Sequence, residues 1–351
     1  MALRVVELIL PTEVWEESDL ELAEDFRAHD VWSEDLRDDR LRVSVLMDAA
    51  DTEPLLDELE RRFEGREGYR VVLLPAEVSL PRPEEPEEEE EDGEGPTAEE
   101  AADDLPERIS REELRAQLAD GSELTAVFLV MVGLSALVCA FGLLSGDVAV
   151  IIGAMVIAPL LAPLVALSLA ATLADRDLAT RGIRSGTAGL FVAFLLSALL
   201  GLWLPVDPSL PQVAARSSPG LGHVGVALAA GSAGTLAFTT GLPAAVIGVM
   251  VAVALVPPLV ASGLLAGAGH FTAAAGAGVL TLINLICINL AGVVTFLAQG
   301  IRPGRWWEAE EAKRSTRLAV AVWTFLLLLL VAVILFTPTG EAFRFLVDPG
   351  G

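Results

Sequence analysis

Four prolines stand inside apolar runs: Pro159 and Pro163, four apart in GAMVIAPLLAPLVA (Gly153 to Ala166), and the adjacent Pro257 and Pro258 in VALVPPLVA (Val253 to Ala261). A proline has no amide donor, and its ring crowds the carbonyl four residues earlier. In a helix these four therefore leave the carbonyls of Met155, Pro159, Val253 and Ala254 without their usual partners. In hydrocarbon such groups persist only where protein buries them or a polar cavity receives them. The chemistry on offer is that of bare carbonyl oxygens, which accept hydrogen bonds from a polar solute or hold an ion. Ordinary proline kinks packed against small residues are the alternative. Asn284 and Asn289, five apart with Thr281 nearby, add amides that meet a freed carbonyl, a solute or a neighbouring helix. Ser168, Ser262, Ser232, Thr235, Thr239 and Thr240 supply hydroxyls open to the same alternatives.

The residue types of acid–base and metal chemistry are scattered. The three histidines, His29, His223 and His270, belong to no cluster with ligand spacing, and Cys139 and Cys287 lie far apart in apolar segments. No phosphate-binding glycine loop, dinucleotide fingerprint or nucleophile elbow occurs. The expectation is a protein that is not an enzyme. No Asp, Glu, Lys or Arg falls deep in an apolar segment, which counts against a buried-carboxylate cation pump.

The stretch around Pro159 has a second copy. Displaced by 95 residues, Ile152 to Ala171 (IGAMVIAPLLAPLVALSLAA) lies over Ile247 to Ala266 (IGVMVAVALVPPLVASGLLA), with Gly153 over Gly248, Met155 over Met250 and Pro163 over Pro258. The same offset lays the segments before and after onto each other. Each copy then holds three helices, and three crossings turn the second copy upside down. That is the inverted-repeat plan of many secondary transporters, whose sites lie at broken helices near the midplane.

Seven segments are long enough for a bilayer core of about 30 Å: Leu124–Leu144, Val148–Leu173, Gly186–Leu204, His223–Thr240, Leu242–Ala268, Phe271–Leu297 and Leu318–Thr337. Arginine clusters precede the first, third and seventh, so all fall on one side. This predicts an inner-membrane protein with a cytoplasmic N-terminus. Trp203, Trp306, Trp307 and Trp323 sit near span ends, where interfacial anchors belong. The expected organisation is a transmembrane repeat over 123–204, a second over 222–299, a basic cytoplasmic loop over 300–317, a seventh helix over 318–337 and a tail over 338–351.

The front of the chain differs in kind. Net charge is −26 over 351 residues although mean hydropathy is +0.56. Residues 1–80 carry 22 acidic and 9 basic side chains and residues 81–104 carry 13 and one, so the remainder is nearly neutral. Acidity of this kind argues against nucleic acid as a partner, since a binder needs clustered cations to displace counterions from phosphates. Strand-like runs at 4–11, 41–49 and 69–80, a weaker one at 31–36, and helical spacing at Val14–Arg27 and Thr52–Phe63 predict a β-α-β-β-α-β unit over 1–80, the ferredoxin-like order. Residues 81–108, with PRPEEPEEEEEDGEGPTAEE, read as an extended acidic linker, and 109–122 as an amphipathic helix at the membrane surface.

The motif IIGAMVIAPLLAPLVALSLA, followed by GVMVAVALVPPLVASGLL and LINLICINLAG, resembles a bacterial and archaeal family of hydrophobic membrane proteins, domain of unknown function 389, over about residues 120 to 300. The resemblance implies that Gly153, Met155, Pro159 and Pro163, with Gly248, Pro257, Pro258 and Asn284, belong to the family motif. It implies no activity.

From these residues the expected function is a membrane transporter or channel-like protein for a small polar or anionic solute, regulated or assembled through its soluble domain. Its candidate binding residues are Gly153, Met155, Pro159, Pro163, Gly248, Pro257, Pro258, Asn284 and Asn289. The alternative is a ligand-sensing oligomer that binds a nucleotide or other metabolite without transport. Expected partners are the lipid bilayer, the solute and further copies of the chain, with a trimer as the working number.

Overall fold

The computed structural model describes residues 3–14, 26–37, 39–63, 66, 68–76, 79, 108–241, 244–303 and 306–336, with backbone alone at 14, 244–254, 306–311 and 333–336. Most of the expected helix Val14–Arg27, the acidic linker and the tail lie outside these residues. The chain divides into two compact units, Met1–Leu114 and Arg115–Gly351.

In the first unit β1 (Leu3–Pro11), β2 (Asp30–Leu36), β3 (Arg40–Asp48) and β4 (Arg70–Ala76) form one antiparallel sheet in the order β2-β3-β1-β4. Alternation in β1 puts Val6, Leu8 and Leu10 on one buried face, and β3 adds Leu41, Val43, Val45 and Met47. Helix α1 (Thr52–Phe63) brings Leu55, Leu59 and Phe63 against them, a four-residue spacing that keeps all three on one side. At the unit's end Arg108 and Arg111 converge on α1: the Arg108 guanidinium donates to Glu53 at 2.6 Å and that of Arg111 to Asp57 at 2.5 Å. Arg4 pairs with Glu113 at 3.0 Å from the buried face of β1. These contacts hold the start of α2 (Arg111–Gly121) to the unit's own sheet and helix.

The second unit is helical: α3 (Ala126–Ser145), α4 (Val148–Ile157), α5 (Leu161–Leu173), α6 (Arg176–Trp203), α7 (Pro211–Ser217), α8 (Leu221–Thr239), α9 (Ala244–Gly267), α10 (Phe271–Ala298) and α11 (Trp306–Phe336). Among the described residues five of these are long and apolar enough to cross a bilayer, namely α3, α6, α8, α10 and Ala312–Ala332 of α11. The pair α4–α5, bent by 53°, makes a sixth when taken as one span. By length and composition this is a membrane protein. The described side chains of α9 cover only Leu255–Gly267, an apolar stretch too short to be counted by itself, although the helix runs for 24 residues.

Capping residues define the turns. Gly146, with φ 73, ends α3 in the left-handed conformation that glycine adopts without a Cβ clash, and the Asp147 carboxylate then accepts from the Ala149 and Val150 N–H groups to start α4. The next turn repeats the device with Ala174, at φ 59, and Asp175, whose carboxylate accepts from Leu178 N–H at 3.0 Å. Asp175 also takes a 2.5 Å hydrogen bond from Arg115. Partial burial pushes the Asp175 carboxyl up, but the Leu178 N–H and the Arg115 guanidinium together hold it below its ordinary value. A depressed carboxylate contributes its stability in full above the unfolded value near pH 4, and that contribution is lost as pH falls through the folded one. The expected result is a thermal-stability gap between wild type and Asp175→Ala of about 1 kcal/mol at pH 7. The gap should close as the pH falls through the carboxyl's depressed folded value. Tryptophan fluorescence melts of the detergent-solubilised protein across that range measure it; a gap indifferent to pH would show that the charge of the cap has no part.

Helix pairing in the second unit is reciprocal. The middle element of the first half packs on the last helix of the second half (α5 on α10), and the middle helix of the second half packs on the last of the first (α9 on α6). The α6–α9 crossing is the tighter. Gly201, Gly263 and Gly267 meet backbone there, so that a Cβ on Gly201 would overlap the Leu264 carbonyl and one on Gly267 the Ala198 carbonyl. This is a small-residue crossing of the kind that lets membrane helices touch backbone to backbone.

Candidate functional site: the broken helix and its polar seam

The break between α4 and α5 follows from Pro159. Helix α4 ends at Ile157, Ala158 is extended (φ −75, ψ 116), and α5 restarts at Leu161. Pro159 cannot donate to the Met155 carbonyl. Pro163 then occupies the third position of α5, where its missing N–H is one of the orphan donors that every helix start carries. It costs nothing there. Of the carbonyls that α4 leaves open at its end, Ala154 O accepts from the Ser135 hydroxyl of α3 at 2.7 Å.

The second copy differs. Helix α9 runs through Pro257 and Pro258 as one element, so the expectation of two helices broken alike meets a physical asymmetry. The register explains it: Ala254, not a proline, stands where the first copy has Pro159. Its N–H is present, no new helix start forms, and Pro257 and Pro258 lie inside a continuous helix with both side chains buried.

Beyond the break, α5 and α8 each meet α10 along a seam of neutral polar side chains. The Ser168 hydroxyl lies 3.1 Å from the Asn289 carbonyl oxygen and 3.3 Å from that of Leu164. Asn289, fully buried, donates its amide to the Leu285 carbonyl at 2.9 Å. Gly292 allows this approach, since a Cβ there would come within 2.6 Å of the Ser168 oxygen and 3.3 Å of the Thr235 oxygen. Thr235 donates back to Gly231 O at 2.9 Å and Thr172 to Ser168 O at 2.9 Å. At the C-terminal end of α10, Gln299 donates from Nε2 to the Thr239 hydroxyl at 2.9 Å, while its buried Oε1 meets no hydrogen-bond donor among the described residues.

The nominated residues divide accordingly. Asn289 and Asn284 are buried on α10, and Asn289 touches Ser168; Met155 and Pro163 are buried, and Pro159 is half-buried at the break. Gly153 is exposed, with nothing among the described residues within 4 Å of a Cβ built on it. Gly248 lies in α9 where side chains fall outside the described residues. Four participants escaped the sequence reading. Ser135, Thr172 and Gln299 gave no signal beyond being polar residues in or beside apolar helices, and Thr316, which donates to the Ala171 carbonyl at 3.2 Å, lay in what read as a loop. Among the described residues no group of three or more His, Cys, Asp or Glu could hold a metal ion. What the seam offers is neutral hydrogen bonding with a carbonyl-rich break beside it.

Residues 155–290 match the family described as "Domain of unknown function (DUF389)". An uncharacterized protein of Methanocaldococcus jannaschii, MJ0678, is 36% identical over 294 residues, covering 84% of this chain and 87% of its own length. The chain belongs to the DUF389 family. The matched region opens at Met155, the last buried residue of α4 before the break, and closes at Leu290, one residue past Asn289. The family segment thus contains the break and Asn284 and Asn289 of α10, while Gly292 and Gln299 lie beyond it. No solved structure matches this chain.

Proposed function

We propose that this DUF389 protein is a transporter or channel-like protein for a small polar or anionic solute, with the α4–α5 break as part of the solute's path. The observation that carries the reading is the non-helical Ala158–Leu160 link, extended at Ala158, in the middle of an otherwise span-length apolar segment. It leaves carbonyls without helical partners next to buried neutral donors. The finer architecture belongs to the same proposal: seven spans with α9 as the fifth, two inverted three-helix repeats, and an N-terminus on the cytoplasmic side of the inner membrane. The reciprocal α5–α10 and α9–α6 packing supports the repeat. The strand order β2-β3-β1-β4, all antiparallel, supports a ferredoxin-like soluble domain. In this reading that domain regulates the bundle or assembles further copies of the chain, and no step is enzymatic.

The test is a cysteine scan of Met155–Pro163 and Val253–Pro258 with a water-soluble thiol reagent, in a background lacking Cys139 and Cys287. Reactivity is expected to cluster at 158–160, with weaker labelling across the continuous second copy. Uniform protection in both segments would remove the solute path.

A further inference from the structure

A wide groove in the helical unit lies away from the break. It lies where the last turn of α5, the first turn of α6 and the first half of α11 come together, and it encloses about 1130 Å³. Thr316 fixes its floor by donating to Ala171 O, which ties α11 to the end of α5. Among the described residues four cations line the groove, Arg176, Lys313, Arg314 and Arg317, against one carboxylate, Asp175. That carboxylate is committed to the Leu178 N–H and to Arg115. The remaining wall is apolar: Leu167, Ala170, Ala171, Leu318 and Trp323.

Charge and apolar surface are arranged in order along the groove. On α11, Arg314 and Arg317 are three residues apart and share a face. At about 1.5 Å per residue, Trp323 lies roughly 9 Å beyond Arg317. The occupant that fits must therefore carry an anionic head and an apolar tail. The groove is also placed to admit it from the bilayer, since few side chains of Ala312–Ala332 are fully buried. An inorganic anion would leave the apolar wall unused, and a soluble acidic peptide would have to enter at the level where α11 becomes a span.

We propose that this groove binds an anionic diacyl phospholipid, its phosphate held by Arg314 and Arg317 with Lys313 beside them, and one acyl chain laid along Leu167, Ala171, Leu318 and Trp323. Basic pockets between membrane helices at the headgroup level are suited to this task. Bound lipid would wedge α11 against α5, the helix that carries the break. The site is independent of whether a solute crosses the bundle.

The full-length protein in neutral detergent is titrated with phosphatidylglycerol or phosphatidylcholine of identical brominated chains, and tryptophan quenching is followed. Phosphatidylglycerol should half-saturate at a concentration about thirtyfold lower, two arginines contributing at the headgroup level. Trp323→Phe should remove the saturable part of the quenching. Arg314→Gln/Arg317→Gln should abolish the preference, and Arg314→Lys/Arg317→Lys should keep most of it. Should the glutamine pair fail to fold, the wild-type preference must still shrink as salt is raised from about 0.1 to 1 M, where screening shortens from roughly 10 to 3 Å. Equal quenching by the two lipids, a preference that survives in the folded glutamine pair or in high salt, or full displacement by millimolar inorganic phosphate would each overturn the proposal.

Discussion

Gly201→Ala should destabilise the helical bundle by about 3 kcal/mol, the upper part of the range for overpacked cores. The added methyl has nowhere to go. The Cβ of residue 201 would overlap the Leu264 carbonyl oxygen, with Leu264 C at 2.9 Å and Cα at 3.0 Å. All three atoms are backbone, so no side-chain rotation relieves the clash and α6 must move off α9. Gly267→Ala meets the same crossing from the other helix, with the Ala198 carbonyl in the way. The double variant should cost less than the two single costs together, because helices already forced apart by one methyl accommodate the second. Gly153→Ala is the internal control. Its Cβ meets nothing within 4 Å among the described residues, and the change should be neutral or stabilising by up to about 1 kcal/mol through helix propensity. Fluorescence melts and the temperature at which the solubilised protein loses monodispersity would report the order. Gly201→Ala melting with Gly153→Ala would show that α6 and α9 do not touch at backbone distance.

The elements whose burial repeats with their own period were legible from residue types. Val6, Leu8 and Leu10 alternate, and Leu55, Leu59 and Phe63 recur at four, so β1 and α1 could be placed before any contact was known. The apolar segments were legible too, but hydropathy reports the slab of hydrocarbon and not the ends of helices. Helix α6 begins at Arg176, ten residues before the apolar window at Gly186, and α11 begins at Trp306, twelve before Leu318. In α6 the useful signal was the Asp175 cap. Helix α7 was absent from the sequence reading although Pro211 stands at its start, where proline is favoured. The α6–α9 crossing was invisible for another reason: a glycine in an apolar helix has no periodicity of its own, and Gly201 meets a partner more than sixty residues away. The asymmetry of the two copies was present in their alignment. Pro163 over Pro258 drew the eye, while Ala254 beneath Pro159 decides that α9 stays whole.

That distinction makes the prolines themselves the sharpest test of the broken helix. Pro159→Ala should close the link between α4 and α5, whereas Pro163→Ala should leave it open. An alanine at 159 restores a donor for the Met155 carbonyl and removes a ring that crowds it. Relative to proline, it favours the helical state by about 3 kcal/mol at an interior position. Closure must work against the anchors of α5. Gly182 packs on the Pro163 carbonyl, and Ser168 sits on Asn289, so the 53° bend cannot simply straighten. Part of the gain is therefore spent on moving these contacts. A remainder of about 1.4 kcal/mol would still lower the population with exposed carbonyls tenfold. Pro163 offers no such gain, because its missing N–H is already an orphan at the start of α5. The measurement is the thiol-labelling rate of a cysteine at Ala158 or Leu160, in the background lacking Cys139 and Cys287. It should fall about tenfold with Pro159→Ala and stay within twofold with Pro163→Ala. The converse change, Ala254→Pro, should raise labelling at Val253 by introducing into α9 the break that the first copy has. Equal slowing by the two alanine variants would mean that the bend is imposed by packing around α5, with Pro159 merely tolerated there.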